Sequence, residues 1–400
     1  SGTTYTITVN VDDTAGNAAT ADTGDTFVYD NINPSIGISA VATDGYVNDD
    51  EDSSFTITGT SVGAVGQDVT VTYGGVTDTD SVIVDSAGAW TVTFCDDEDC
   101  SGVSDGLIAI TANVDDAAGN SADSASSNAW QDTSDPTTTV TINTFSADTG
   151  SSSTDWITKT AAGNVDADLS AALLAGTSSR TVETLEVSVD AGSTWATVAS
   201  GDISGTDVTE GVTLGAGTSS VKFRVTDAAG NTAAVATQAY TLDTTAPTST
   251  SASEATSGSG NANHNDVVTI TLDPSEDVQE PVCTFTDGSG AMADTSVTYG
   301  TASSDSHTAA VTVADADDDG AVGFSCTYSD IAGNAIGAAI TGVTDGTAVT
   351  IDNTHPTSSA VTIAVTGDGN ANNADVVTLT LDPSETVGTP TCTWTTSGAG

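Results

Sequence analysis

The chain of 400 residues sets 56 acidic side chains against four basic ones, a formal charge of −52. Such a surface excludes nucleic acid and anionic membranes as partners, because both are polyanions that need a basic face. Disorder, the other outcome of strong acidity, is opposed by a hydrophobic content of 37% laid out in alternation, and no run approaches the roughly 20 apolar residues of a membrane span.

Residues 1–33 read as the end of a first module. Tyr5, Ile7, Val9 and Val11 alternate with polar residues, the period of a half-buried strand, and lead into the turn Asp13-Thr-Ala-Gly-Asn17. A second strand-like run follows, then an acid and a proline, Asp30 to Pro34. The same sequence of parts recurs at Asp116 to Asn120 with Asp132 to Pro136, at Asp227 to Asn231 with Asp243 to Pro247, and at Asp330 to Asn334 with Asp352 to Pro356. Each turn ends in Gly-Asn, the pair that best tolerates a positive φ. Pro34, Pro136, Pro247 and Pro356 lie roughly 100 to 110 residues apart, the size of one antiparallel sandwich of immunoglobulin type. The expected organisation is all-β: whole sandwiches at 34–136, 137–247 and 248–356, the end of one at 1–33 and the start of another at 357–400. A chain that opens inside a strand and stops before its fifth module can close reads as an excerpt of something longer.

In the second module, short strands at Ser54 to Gly59, Val69 to Tyr73, Ser81 to Val84 and Trp90 to Phe94 alternate with glycine-rich turns. The stretch Asp44-Gly-Tyr-Val-Asn48 ahead of Phe55-Thr-Ile-Thr-Gly-Thr60, with Asp-Ala-Ala-Gly-Asn and the Asp-to-Pro linker behind, resembles the tandem bacterial immunoglobulin-like repeats of giant surface adhesins. The resemblance runs through essentially the whole chain. Asp243-Thr-Thr-Ala-Pro247 has the form usual in that family, whereas Asp30-Asn-Ile-Asn-Pro34 and Asp352-Asn-Thr-His-Pro356 depart from it. It implies a calcium-stiffened stalk on the surface of a prokaryotic cell.

The third module holds all four cations, Lys159, Arg180, Lys222 and Arg224. Lys222 and Arg224 alternate with Val221, Phe223 and Val225 and are expected to face solvent. Trp195 is expected to pack on the sandwich as a strand residue. The fourth and fifth modules are close copies: Asp266-Val-Val-Thr-Ile-Thr-Leu-Asp-Pro-Ser-Glu276 returns as Asp375-Val-Val-Thr-Leu-Thr-Leu-Asp-Pro-Ser-Glu385.

Cys283 and Cys326 fall on inward positions of two strands and are expected to form a disulfide, as are Cys95 and Cys100 around the acidic loop Asp96 to Asp99. Both fit an oxidising, extracellular compartment. Cys392 repeats Cys283.

Carboxylates are where chemistry could reside. In such a sandwich the B-to-C and F-to-G loops lie at the end where the module begins. At the 247 junction, Asp243 should therefore meet Asp273, Glu276, Asp330 and Asn334, with Asp148 and Asp155 approaching from the previous module. The 356 junction should repeat this with Asp352, Asp382 and Glu385, and poorer versions should pair Asp132 with Asp227 and Asp30 with Asp116. Converging carboxylates repel unless a cation joins them, and Ca²⁺ takes six to eight oxygens in loose geometry. A further candidate is Asp315, Asp317 and Asp319, which copy the first half of an EF-hand loop but lack its final Glu. The run Asp49-Asp-Glu-Asp52 reads as a solvated face. His264, His307 and His355 have no nucleophile motif or zinc spacing around them, so no enzyme is expected. The expected function is a secreted adhesin stalk in saline surroundings, with neighbouring modules as partners and its adhesive target outside these residues. The alternative is a subunit of an extracellular filament or sheath in which copies of the chain also touch one another.

Overall fold

The computed structural model describes residues 2–96, 99–175, 182–303, 306–344, 346, 348–367 and 369–395. Asp97, Glu98 and Arg180 lie outside the described residues. The protein is all-β: the only helix among the described residues is a single 3-10 turn, Ser200–Asp202. No helix there is long and apolar enough to cross a membrane. The chain forms two compact units, one of Ser1–Asp148 with Ser153–Leu242, the other of Thr149–Ser152 with Asp243–Gly400.

In the first unit, residues 34–136 fold as two facing antiparallel sheets. Strands Ser35–Val41, Phe55–Val62 and Ala89–Phe94 make one; Ala125–Gln131, Gly106–Val114 and Asp68–Tyr73 make the centre of the other. Tyr46–Val47, the continuation of the first strand, crosses over and pairs in parallel with Ala125–Gln131. Period-two alternation is visible in the burial: Phe55, Ile57 and Gly59 point inward while Thr56 and Thr60 point out. Gly59 is required there, since a Cβ would lie 2.1 Å from the buried Trp90 ring and 2.2 Å from the Gly37 carbonyl oxygen. Residues 137–242 repeat the plan, with Val140–Phe145, Ala162–Leu169 and Asp207–Thr213 in one sheet and Ala236–Leu242, Gly217–Thr226 and Thr184–Ser188 in the other. Val221, Phe223 and Val225 are fully buried. Lys222 and Arg224 lie on the outer face, where Arg224 Nε is 2.7 Å from Glu186 Oε2. Trp195 packs half-buried on the sandwich as expected but lies just before the strand Ala196–Thr197 rather than within it, and the Arg224 guanidinium covers its ring at 4.2 Å.

The second unit contains the sheet Ser249–Thr256, Val267–Pro274, Ser306–Thr312 and Thr298–Ser303, facing the pair Val282–Thr286 and Gly323–Thr327. Cys283 and Cys326 are cross-strand partners joined by a disulfide with Cα atoms 4.1 Å apart; Cys95 and Cys100 are joined likewise, at 5.5 Å. The run after Asn334 is strand-like in sequence, yet among its described residues it makes only bridges, Ser329 to Ala335 and Cys326 to Ile340, before Thr350–Ile351. Gly337, Gly342 and Gly346 break its ladder, as glycine in a strand interior commonly does. Three separate cores result, drawn from residues 41–129, 140–242 and 252–351.

Candidate metal centre

The Asp-x-x-Gly-Asn turns are built alike. Asp227 Oδ1 accepts from the amides of Ala229, Gly230 and Asn231 at 2.8–3.0 Å, and its Oδ2 accepts from Asn231 Nδ2 at 2.9 Å. The chain reverses at Gly230, where φ is +100°. Asp13, Asp116 and Asp330 repeat the bonds to their own Asn17, Asn120 and Asn334. The Asn120 side-chain amide, helped by backbone amides, holds the Asp116 carboxyl below the usual range, and Asn17 does the same for Asp13.

Three of the asparagines then reach the linker ahead of their modules. Asn120 Nδ2 donates to Asp30 O at 3.1 Å, Asn231 Nδ2 to Asp132 O at 2.8 Å and Asn334 Nδ2 to Asp243 O at 2.9 Å. Asn334, expected as a metal ligand, spends its nitrogen on two acceptors and so fixes the linker, while any ligation would fall to its Oδ1.

This clasp brings Asp243 over its module. Asp243, Glu276 and Asp330 offer ligand oxygens that all lie within 4.8 Å of one another, the one such trio of potential ligands found among the described residues. Asp330 is only 2% exposed. Burial, then the charges of Asp243 and Asp330, hold the Glu276 carboxyl above its ordinary 4.5. At this separation two full charges repel by roughly 3 kcal/mol at an effective dielectric of about 20, less in salt. Oxygen-only donors suit a hard cation such as Ca²⁺ rather than zinc or copper, with water completing the shell.

The sign of the pH effect follows. With a raised folded-state value, Glu276 contributes stability that is fully present below the unfolded-state value and is lost as pH rises through the folded one. A cation reverses that sign by favouring the carboxylate. In a carbon NMR titration in chelator, Glu276 is expected to have a midpoint above those of exposed glutamates, to fall when Asp243→Asn removes a neighbouring charge, and to drop below the exposed range in calcium. Equal midpoints with and without calcium would rule out a cation at this carboxylate.

Asp273 is not in the cluster. The strand runs on through Pro274, so Asp273 still pairs with Ser251, and its carbonyl and Oδ2 accept from Thr250 Oγ1 at 2.6 and 3.2 Å. Asp382 likewise receives Ser359 Oγ. The serine of Asp-Pro-Ser-Glu has a role that charge patterns did not reveal. Ser275 exchanges two hydrogen bonds with the Thr248 backbone just past the linker proline, and Ser384 does so with Thr357.

At the 356 junction, Asp352 and Glu385 line one cavity of about 500 Å³ with Asn353 and His355, and Glu385 Oε1 is buried there with no hydrogen-bond partner. At the 136 junction, Asp132 and Asp227 line a cavity of about 190 Å³ together with Glu183, a carboxylate missed in the sequence, which accepts from Thr138 Oγ1 and Leu174 N. Asp30 bonds the Ile32 amide, and Asp116 serves its own turn. Asp148 and Asp155 accept from the amides of Trp156 and Ile157.

Asp315, Asp317 and Asp319 are not brought together. Asp317 is buried and accepts from the Ala293 and Ala314 amides, Asp319 binds Asn353 N and Thr354 Oγ1, and the exposed Asp315 lies 3.3 Å from His264 Nδ1. Asp319 thus ties the loop to the next linker, and Asp317 ties it to the Ala293 segment, because backbone donors face both.

No protein-family model and no curated protein sequence matches the chain. Among solved structures it is similar to a tetra-tandem repeat in the extending region of a large adhesion protein, at 20% identity over 86% of this chain and 82% of that one, with a TM-score of 0.25. The Escherichia coli adhesin FdeC is similar at 11% identity over 80% and 97%, with a TM-score of 0.30. The FN1–FN3 domains of chicken CNTN1 are similar at 9% identity over 78% and 99%, with a TM-score of 0.26.

Proposed function

We propose that this chain is an extending segment of a secreted adhesin, a stalk that holds an adhesive tip away from a prokaryotic cell and is stiffened by calcium at linkers where carboxylates converge. The convergence of Asp243, Glu276 and Asp330 is the observation that supports the metal. One of the three belongs to the linker and two to loops of the module that follows, so a shared cation would tie the linker to that module. A proline fixes one backbone angle, but a ligand held in common fixes the direction of the segment. Each sandwich has its own core, which leaves the linkers as the compliant points.

The remaining acids fit the same role. At −52 per 400 residues, neighbouring stalks repel one another and stay soluble, and saline surroundings supply the counter-ions. The two disulfides suit an oxidising exterior.

Small-angle scattering tests this reading. Calcium is expected to lengthen the average end-to-end distance relative to chelator, and Asp243→Ala to remove most of the difference while the sandwiches stay folded. An identical profile in calcium and chelator would mean that packing alone aligns the modules.

A further inference from the structure

Asn231 does more than close its turn. It is 5% exposed, and its carboxamide joins three stretches of chain within the first unit. Nδ2 donates to Asp227 Oδ2 in the turn and to Asp132 O in the linker, while Oδ1 accepts the amide of Asp49 at 2.9 Å. Asp49 belongs to the preceding module, in the loop between Tyr46–Val47 and Phe55–Val62. Its neighbour Asn48 donates Nδ2 to Ala229 O of the turn at 2.9 Å. Both hydrogens and one lone pair of the Asn231 amide are thereby used, each on a different segment. The acidic run at 49–52 is thus not merely a solvated face, since its first residue is an anchoring point.

The second unit contains a related contact. Its turn receives Ser151 N on Ile331 O and Thr149 Oγ1 on Ala332 O, both at 3.0 Å. Gly150 lies so close that a Cβ would come within 2.0 Å of Ile331 O. Two turns of one design therefore accept a short polar loop along their carbonyl edge.

We propose that the Asp227-to-Asn231 turn is a docking surface for the loop between Tyr46–Val47 and Phe55–Val62 of the preceding module, and that Asn231 rivets the 136 junction without a metal. The inference rests on reading the chain as a stiff extender but not on calcium. An uncharged amide bonded to a carbonyl, a carboxylate and a backbone amide is insensitive to chelation and little screened by salt. Aspartate in its place would remove both donors and set a second carboxylate beside Asp227. Alanine would leave the Asp132 carbonyl and the Asp49 amide without their partner. The junctions then differ in kind: an amide fixes 136, whereas at 247 the clasp of Asn334 on Asp243 is accompanied by three carboxylates that need a cation.

The test uses the full chain with Cys392→Ser and nitroxide labels at T56C and D207C, one on each side of the 136 junction. Pulsed electron–electron distance measurements are expected to give one narrow distribution, the same in calcium and in chelator. Asn231→Ala should broaden it at least twofold in both conditions. Asn48→Ala, which leaves the turn itself intact, should broaden it less. Hydrogen exchange in Gly217–Thr226 should stay unchanged in the Asn48 variant, separating a loosened junction from an unfolded module. An unchanged distribution in both variants would overturn the proposal. So would a wild-type distribution that is narrow in calcium and broad in chelator, a result that would leave the calcium reading of the stalk standing. A calcium-insensitive scattering profile with a broadened Asn231→Ala distribution would sink that reading and leave the rivet.

Discussion

Replacing Phe223 by alanine is expected to speed amide hydrogen exchange in Ala162–Leu169 by roughly 100-fold or more, while leaving exchange in Phe55–Val62 and Val267–Pro274 at wild-type rates. Phe223 has no exposed surface and sits between Val221 and Val225 at the centre of the core formed by residues 140–242. Truncating a buried phenylalanine costs about 3–5 kcal/mol through lost transfer energy and the cavity left behind. That is a large share of the roughly 5–15 kcal/mol that holds a typical domain folded. The other two cores share no buried residue with this one. The loss should therefore stay local, and fluorescence of the buried Trp156, stacked on Phe145, should follow it. Joint loss of protection in all three modules would mean that the array folds as one cooperative body.

Much of this fold was readable because period-two burial has a direct signature. Val221, Phe223 and Val225 inside, with Lys222 and Arg224 outside, is the pattern of a strand that packs one face only. The turns were readable as well, since Gly16, Gly119, Gly230 and Gly333 all have φ between 88° and 100°. Chain direction was enough to bring Asp243, Glu276 and Asp330 to one place, because loop ends in such a sandwich follow from topology.

What stayed hidden depended on which backbone groups face a side chain. Asp273 lies three residues before Glu276 and has the same charge, yet a strand that continues to Pro274 commits it to Thr250. The spacing of Asp315, Asp317 and Asp319 is shared by metal loops and by loops whose carboxylates accept amides; only the positions of Ala293, Ala314 and Asn353 distinguish them. Asn231 has no charge and so left no mark in the charge pattern. Its signal was the recurrence of the Asp-x-x-Gly-Asn turn itself, which follows a linker aspartate in each module. Trp195 was legible as a packing residue, but nothing local announced that its partner would be Arg224, on a strand distant in sequence.

The second large effect is that of calcium on the module that follows the 247 linker, and its direct measure is hydrogen exchange of the Gly323–Thr327 amides in the strand that leads to Asp330. An ion that binds the folded state alone, at 100 times its dissociation constant, stabilises by about 2.7 kcal/mol, which slows exchange through global opening roughly 100-fold. Glu276→Gln distinguishes a bound cation from general charge screening, because Glu276 takes no part in the turn bonded by Asp330 and Asn334. In chelator the variant should exchange more slowly than wild type, since it lacks one of three mutually repelling charges. In calcium the order should reverse, because the variant has lost a ligand. Exchange that slows equally in both proteins when calcium is added, with no crossing of the order, would contradict a metal centre at Asp243, Glu276 and Asp330.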